Sequence, residues 1–171
     1  MDNLKYLKDY IAEYKSLGEA EFGTRHRASV LLGMGMIGNL GDGGGAGRTV
    51  AVQAVGAELQ ASASLVGRVW PLRKEQGRTG AGVNIGRSQE NDIVIPEYSI
   101  SQKHCEFILT PTGPVLKDLG SSNGTLVGTK KLMPRKPQPL ADGDQVVLGR
   151  FSFEFMLGKS FMARVAGAAG A

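Results

Sequence analysis

The 171-residue sequence predicts a mainly β fold, a sandwich or barrel preceded by a helical extension. Three observations carry that expectation. From about Val50 onward the chain breaks into short apolar runs, among them Val83-Asn84-Ile85, Cys105 to Leu109 and Val146-Val147-Leu148. Turn residues interrupt them at intervals of about ten to twenty positions, at Gly77, Asn91-Asp92, Gly113, Asn123-Gly124 and Asp142-Gly143, as expected for the many short strands of a sandwich or barrel. The run Phe151-Ser152-Phe153-Glu154-Phe155 alternates strictly, as a strand with one buried face must.

Composition narrows the function classes. The length allows one domain with a real core plus an extension. A net charge of +4 admits anionic ligands without arguing for nucleic acid. Cys105 is the sole cysteine, which excludes an internal disulfide and a multi-cysteine metal site and fits a reducing, cytoplasmic setting. Met1 to Leu17 is charged throughout, unlike a signal peptide, and the run Ala28 to Leu40 is too short and glycine-broken to span a bilayer. A soluble protein without a membrane partner is expected.

Taken in order, residues 1–32 read as an N-terminal extension. Leu4, Leu7, Ile11, Tyr14 and Leu17 recur at helical spacing, predicting an amphipathic helix over 3–17. Asp2 or Asn3 would cap it and Gly18 would end it. Its apolar stripe either docks on the chain's own domain or binds a protein partner. His26 reads as a solvated side chain. Gly33-Met34-Gly35-Met36-Ile37-Gly38 is a literal G-x-G-x-x-G, but a dinucleotide site needs a helix directly after it. Asn39 to Arg48 is mostly glycine, each costing about 1 kcal/mol against alanine in a helix. A P-loop fails too, since Arg48 stands where its lysine belongs. Residues 33–48 therefore read as a Gly-rich linker. The β-rich domain is placed at 62–158, with Val83, Ile85, Phe107, Leu109, Phe153 and Phe155 in its core. Residues 159–171 form an Ala/Gly-rich tail, expected to fray from Ala163 to Ala171.

Chemistry-bearing residues collect at breaks between the strand-like runs, where a rigid sheet can hold binding loops. Gly86-Arg87, Asn91-Asp92-Ile93, Ser101-x-x-His104, Ser122-Asn123-Gly124-Thr125 and Asp142-Gly143-Asp144 with Leu148-Gly149 resemble, in order and spacing, the forkhead-associated (FHA) domain. The likeness runs from about Ser64 to Leu157. It implies an eleven-strand β-sandwich whose loops at one end bind phosphothreonine peptides, without catalysis and without a cofactor. By the same resemblance Arg87 binds the phosphate and the Ser101 hydroxyl reaches it. Lys103 lies beside the pocket, Ser122 helps fix the phosphothreonine, and Asn123 bonds the peptide main chain. Gln102 departs from the arginine many family members carry there, which removes a charge. Gly86, His104, Gly124 and Thr125 support the pocket, His104 as a buried residue that holds the loops together.

Those side chains suit the ligand. A phosphothreonine carries about −1.5 to −2 charge and three acceptor oxygens at neutral pH. Arg87 offers a planar fork for two of them, and the Asn123 amide can pair with a peptide C=O and N–H together. Enzymatic readings fare worse. His104 and Cys105 are successive strand residues pointing to opposite faces, and no nucleophile elbow surrounds Ser101 for a hydrolase with His104 and Asp118. The basic residues Lys130, Lys131, Arg135 and Lys136 are interrupted by prolines and lack interleaved aromatics, against nucleic-acid binding. The expected function is a non-catalytic adaptor for a partner phosphorylated by a Ser/Thr kinase. The alternatives are a phosphate-independent structural module of a larger assembly, or a nucleotide binder using the glycine stretch. Phosphorylation of Thr24 or Thr49 is a conceivable self-inhibitory device, folding onto the same pocket.

Overall fold

Alternating apolar residues build two facing sheets. The computed structural model describes residues 5–37 and 65–170. A seven-stranded sheet has the order β1 (Lys5–Tyr6), β3 (Arg68–Pro71), β2 (Val30–Met36), β12 (Phe151–Met156), β11 (Gln145–Leu148), β8 (Thr125–Val127) and β9 (Lys130–Lys131). Facing it is a five-stranded sheet in the order β10 (Gln138–Pro139), β7 (Gly113–Asp118), β6 (Cys105–Thr110), β4 (Val83–Gly86) and β5 (Ile93–Val94). Pairing is antiparallel except between β4 and β5. Phe107, Ile85, Val83, Phe153 and Phe155 lie in the core between the sheets, as expected. Twelve strands are present among the described residues, three of them formed only by Lys5–Tyr6, Val30–Met36 and Arg68–Pro71 closing one edge.

The larger sheet is covered on both faces at its centre. Leu31, Trp70 and Phe155 face the inter-sheet core, whereas Val30, Leu32, Val69 and Met156 turn outward into a second apolar cluster. That cluster is completed by α1 (Leu7–Leu17), α2 (Glu19–Arg25) and α3 (Gly158–Gly170), through Tyr10, Phe22, Phe161 and Val165. Tyr10 meets Phe161 edge-on at 5.1 Å between ring centroids. Strands buried on both faces lose their alternation, which is why Val30 to Leu32 reads as a plain apolar run.

Several expectations are corrected here. The helix starts at Leu7, because Lys5–Tyr6 pairs with Arg68–Val69 and the Tyr6 N–H is held by Asp9 Oδ2 at 2.8 Å. Asp2 and Asn3 lie outside the described residues, and Gly18 (φ +81°) does end α1. Leu7, Ile11 and Tyr14 pack against the second cluster, so the stripe of α1 is occupied within the chain and is not open to a partner. His26 is half-buried between the Tyr10 and Phe22 rings, with Nε2 3.1 Å from Glu13 Oε1.

The linker reading fails over 33–36. Gly33 and Gly35 belong to β2, which lies between β3 and β12, so the sandwich begins well before residue 62. A Cβ at Gly33 would stand 2.0 Å from the Leu65 carbonyl oxygen, and the register shifts opposite Ser152 and Phe153. These glycines permit close backbone approach and a bulge. Residues 38–48 of the expected linker, and Thr49, lie outside the described residues. Leu109 has inward parity but is exposed. It pairs with Pro114 beside the β6–β7 turn, on the rim of an open cleft with Leu72 and Val83, not under the facing sheet. The tail is not frayed over 158–170 but forms α3, with Phe161 and Val165 on one face.

Truncating Phe161 therefore empties a packed site. Phe161→Ala is expected to cost about 3–5 kcal/mol in urea unfolding. A loosely attached tail would leave the midpoint unchanged.

Candidate functional site

One end of the sandwich gathers the β4–β5, β5–β6, β7–β8 and β11–β12 connections, and buried polar groups hold them in register. His104 is at the centre and fully buried. Its backbone N–H donates to the Ile85 carbonyl (3.0 Å), and its own carbonyl accepts from Leu119 N–H (3.0 Å). The Ser101 N–H donates to Nδ1 at 3.0 Å, so the ring proton sits on Nε2 and is donated to the Gly124 carbonyl at 3.0 Å. One neutral imidazole thus ties the Ser101 loop to the Asn123-Gly124 turn.

Asn91, also buried, clamps the next pair of loops. Its Nδ2 donates to the carbonyls of Ser88 (2.8 Å) and Gln102 (2.6 Å). Gly86 permits that approach, since a Cβ there would come within 2.3 Å of the Gln102 carbonyl oxygen. Asp118 organises the β7–β8 turn by accepting from the Gly120 and Ser121 N–H groups and from the Ser121 and Thr125 hydroxyls. Burial pushes its pKa up, but these bonds outweigh it and hold the carboxyl below its ordinary value. Glu97, buried, accepts from the Ser99 N–H and hydroxyl, while Ser99 Oγ accepts the Arg150 N–H at 2.9 Å. From the sequence, Asn91 is named only within the Asn91-Asp92-Ile93 motif and Asp118 only in a rejected hydrolase arrangement, and the Glu97–Ser99 pair is given no role. The legible signal was the position of a small polar residue at each strand end.

On this scaffold the expected ligand-facing groups come together. The Arg87 N–H donates to the Ser101 carbonyl (2.9 Å), and its Nε to the Ile100 carbonyl (3.1 Å). The side chain is exposed, and among the described residues its terminal nitrogens have no hydrogen-bond or ion-pair partner. Ser101 Oγ accepts the Ser122 N–H at 3.0 Å, leaving its own hydrogen to donate. Asn123 donates through Nδ2 to the Ser99 carbonyl at 2.8 Å, which fixes the amide with Oδ1 and one N–H still available. Ser122, Gln102 and Lys103 are exposed, whereas Gly124 (φ +84°) and Thr125 are buried beneath them. Arg87, Ser101, Ser122 and Asn123 are therefore linked by direct or one-residue contacts.

The enzymatic alternatives meet geometric obstacles. Cys105 is fully buried, and burial together with the Asp118 charge drives its thiol pKa far upward, away from a thiolate nucleophile. His104 Nδ1 is occupied by a backbone N–H, so it is not a base for the Ser101 hydroxyl. Thr24 lies in α2 with its hydroxyl donating to Ala20 O. No described helix is long and apolar enough to cross a membrane.

The model of one family, the FHA domain, matches residues 83–149. This segment is an FHA domain. The chain is 36% identical over 73 residues to the oxoglutarate dehydrogenase inhibitor of Corynebacterium efficiens, a match covering 43% of this chain and 49% of that protein. The transcriptional regulatory protein EmbR of Mycobacterium tuberculosis is 34% identical over 91 residues, 53% of this chain and 21% of EmbR. The chain thus spans about half the length of the corynebacterial inhibitor and less of EmbR. The structure of EmbR in complex with a low-affinity phosphopeptide shares the fold at a TM-score of 0.50 and 24% identity, covering 86% of this chain and 31% of that one. The N-terminal FHA domain of Saccharomyces cerevisiae Rad53p, solved with a phosphothreonine peptide, gives a TM-score of 0.45 at 21% identity, covering 56% and 89%.

Burial holds His104 neutral and lowers its pKa from 6.5, against the smaller opposing effects of the Gly124 bond and the Asp118 charge. The unfolded chain therefore takes up the proton first, so this contribution to stability is present above pH 6.5 and falls as the pH drops below it. We expect the urea midpoint to decline on acidification from neutral pH before the carboxylates titrate. NMR titration of the His104 ring should show a folded-state pKa below 6.5.

Proposed function

We propose that this chain is a non-catalytic cytoplasmic adaptor that binds a partner through a threonine phosphorylated by a Ser/Thr kinase. Arg87 binds two phosphate oxygens with its terminal nitrogens. The Ser101 and Ser122 hydroxyls donate to the remaining oxygen, and Lys103 adds positive charge at the rim. Asn123 pairs with the peptide backbone, and Gln102 lines the same edge as a neutral donor and acceptor. Gly86, His104, Gly124 and Thr125 hold these groups in place.

The observation that carries this reading is the state of Arg87. Its Nε is anchored on Ile100 O while the outer face of the fork has no intramolecular partner among the described residues. An exposed guanidinium fixed at one end loses little further freedom on binding, and each charge-assisted bond contributes about 1.5–3 kcal/mol. The phosphopeptide complexes of EmbR and Rad53p agree with it as properties of those proteins. A micromolar affinity, about −8 kcal/mol, follows for a short peptide.

The test is calorimetric titration of the full chain with one peptide in phosphothreonine and threonine forms. Binding is expected only with phosphate, and Arg87→Ala should abolish it. Equal binding of both forms, or full binding by the variant, would favour the phosphate-independent module.

A further inference from the structure

Lys131 is a cation near this site whose position is fixed by strand register. β8 pairs with β9 so that Leu126 is opposite Lys131, and the Leu132 N–H donates to the Thr125 carbonyl at 2.9 Å. Gly124 precedes Leu126 by two residues, so it lies diagonal to Lys131 on the same face. The Lys131 stem accordingly crosses the glycine. A Cβ built on Gly124 would stand 2.9 Å from Lys131 Cε and 3.6 Å from its Nζ. The methylenes rest on backbone while the ammonium stays in water, the usual arrangement for a long cationic side chain.

This ammonium stands one residue from Asn123. Lys131 is exposed and makes no ion pair among the described residues. Nor do its neighbours Lys130, Arg135 and Lys136, and the Arg135 N–H donates to the Asp118 carbonyl, which brings that loop alongside the β7–β8 turn. The carboxylate in the turn, Asp118, is buried and already accepts hydrogen bonds from three residues. Four cations against this one buried carboxylate leave the local charge on this side net positive.

We propose that Lys131 forms a second anion-reading subsite beside the Arg87 pocket, taking an acidic side chain of the same phosphopeptide. This rests on the phosphopeptide reading above. A peptide whose main chain is held by the Asn123 amide continues past Gly124, where a carboxylate meets Lys131. The absence of a side chain at Gly124 is part of the subsite, because it leaves room for the lysine stem.

The test uses the full chain and a phosphothreonine peptide in which Asp replaces Asn at one flanking position at a time, each also made without phosphate. In the parent protein one Asp position should bind roughly threefold to fivefold tighter than its Asn counterpart, the range of an exposed ion pair. That gain should shrink as ionic strength rises. Lys131→Gln should erase it while leaving the all-Asn phosphopeptide unchanged, and Lys131→Glu should reverse it. Lys159→Gln is the charge-matched control. Lys159 opens α3 past the far end of β12, about 20 Å from the β11–β12 turn at six residues of strand, and should retain the preference. Three results overturn the subsite: no Asp preference in the parent, a preference that survives Lys131→Gln, or equal weakening of the Asp and Asn peptides. The last would make Lys131 a phosphate contact. With phosphate-dependent binding intact and lost in Arg87→Ala, these outcomes strike the subsite alone; phosphate-independent binding overturns both readings.

Discussion

A buried, neutral imidazole is the constraint on which the site's geometry depends. His104 offers one bare nitrogen to Ser101 N–H and one N–H to the Gly124 carbonyl, and its backbone joins β4 to the start of β7–β8. Each of those partners would otherwise be a buried or half-buried polar group without a bond, at about 1–3 kcal/mol apiece. The ring can do this in one protonation state and one tautomer only. That requirement matches its environment, since burial favours the neutral form.

Around this clamp the polar residues divide into two layers. Asn91, Asp118, Thr125 and the Glu97–Ser99 pair are buried and satisfied by loop backbone and by each other. They rigidify the connections without presenting anything to solvent. Asn123 bonds to that layer at Ser99, Arg87 is held by the Ile100 and Ser101 carbonyls and Ser122 by Ser101 Oγ, and all keep bonding capacity outward. Preorganisation of this kind reduces the ordering cost of binding a small charged group.

The helices serve a different end. α1, α2 and α3 cover the outer face of the seven-stranded sheet and leave the loop end uncovered, so the N-terminal and C-terminal segments are parts of the domain's packing. Phe161 and Tyr10 join elements 151 residues apart in the chain. The consequence is a sheet that is buried on both sides at β2, β3 and β12, with stability drawn from two apolar clusters.

Local pattern was enough to determine the class of fold, to name five residues of the inter-sheet core, and to single out polar residues that the loop end brings together. Strand alternation and turn chemistry are properties of neighbours in sequence, as at Phe153, Phe155 and Asn123-Gly124. What tertiary structure decided was everything dependent on a distant surface. Gly33 reads as flexible until Leu65 is found against it, Leu109 reads as core until the facing sheet is seen to stop short, and the Ala-rich tail reads as loose until α1 offers Phe161 and Val165 a wall. The tautomer of His104 and the path of Lys131 over Gly124 belong to the same group, because a hydrogen bond or a stem contact exists only once two remote segments have been brought together.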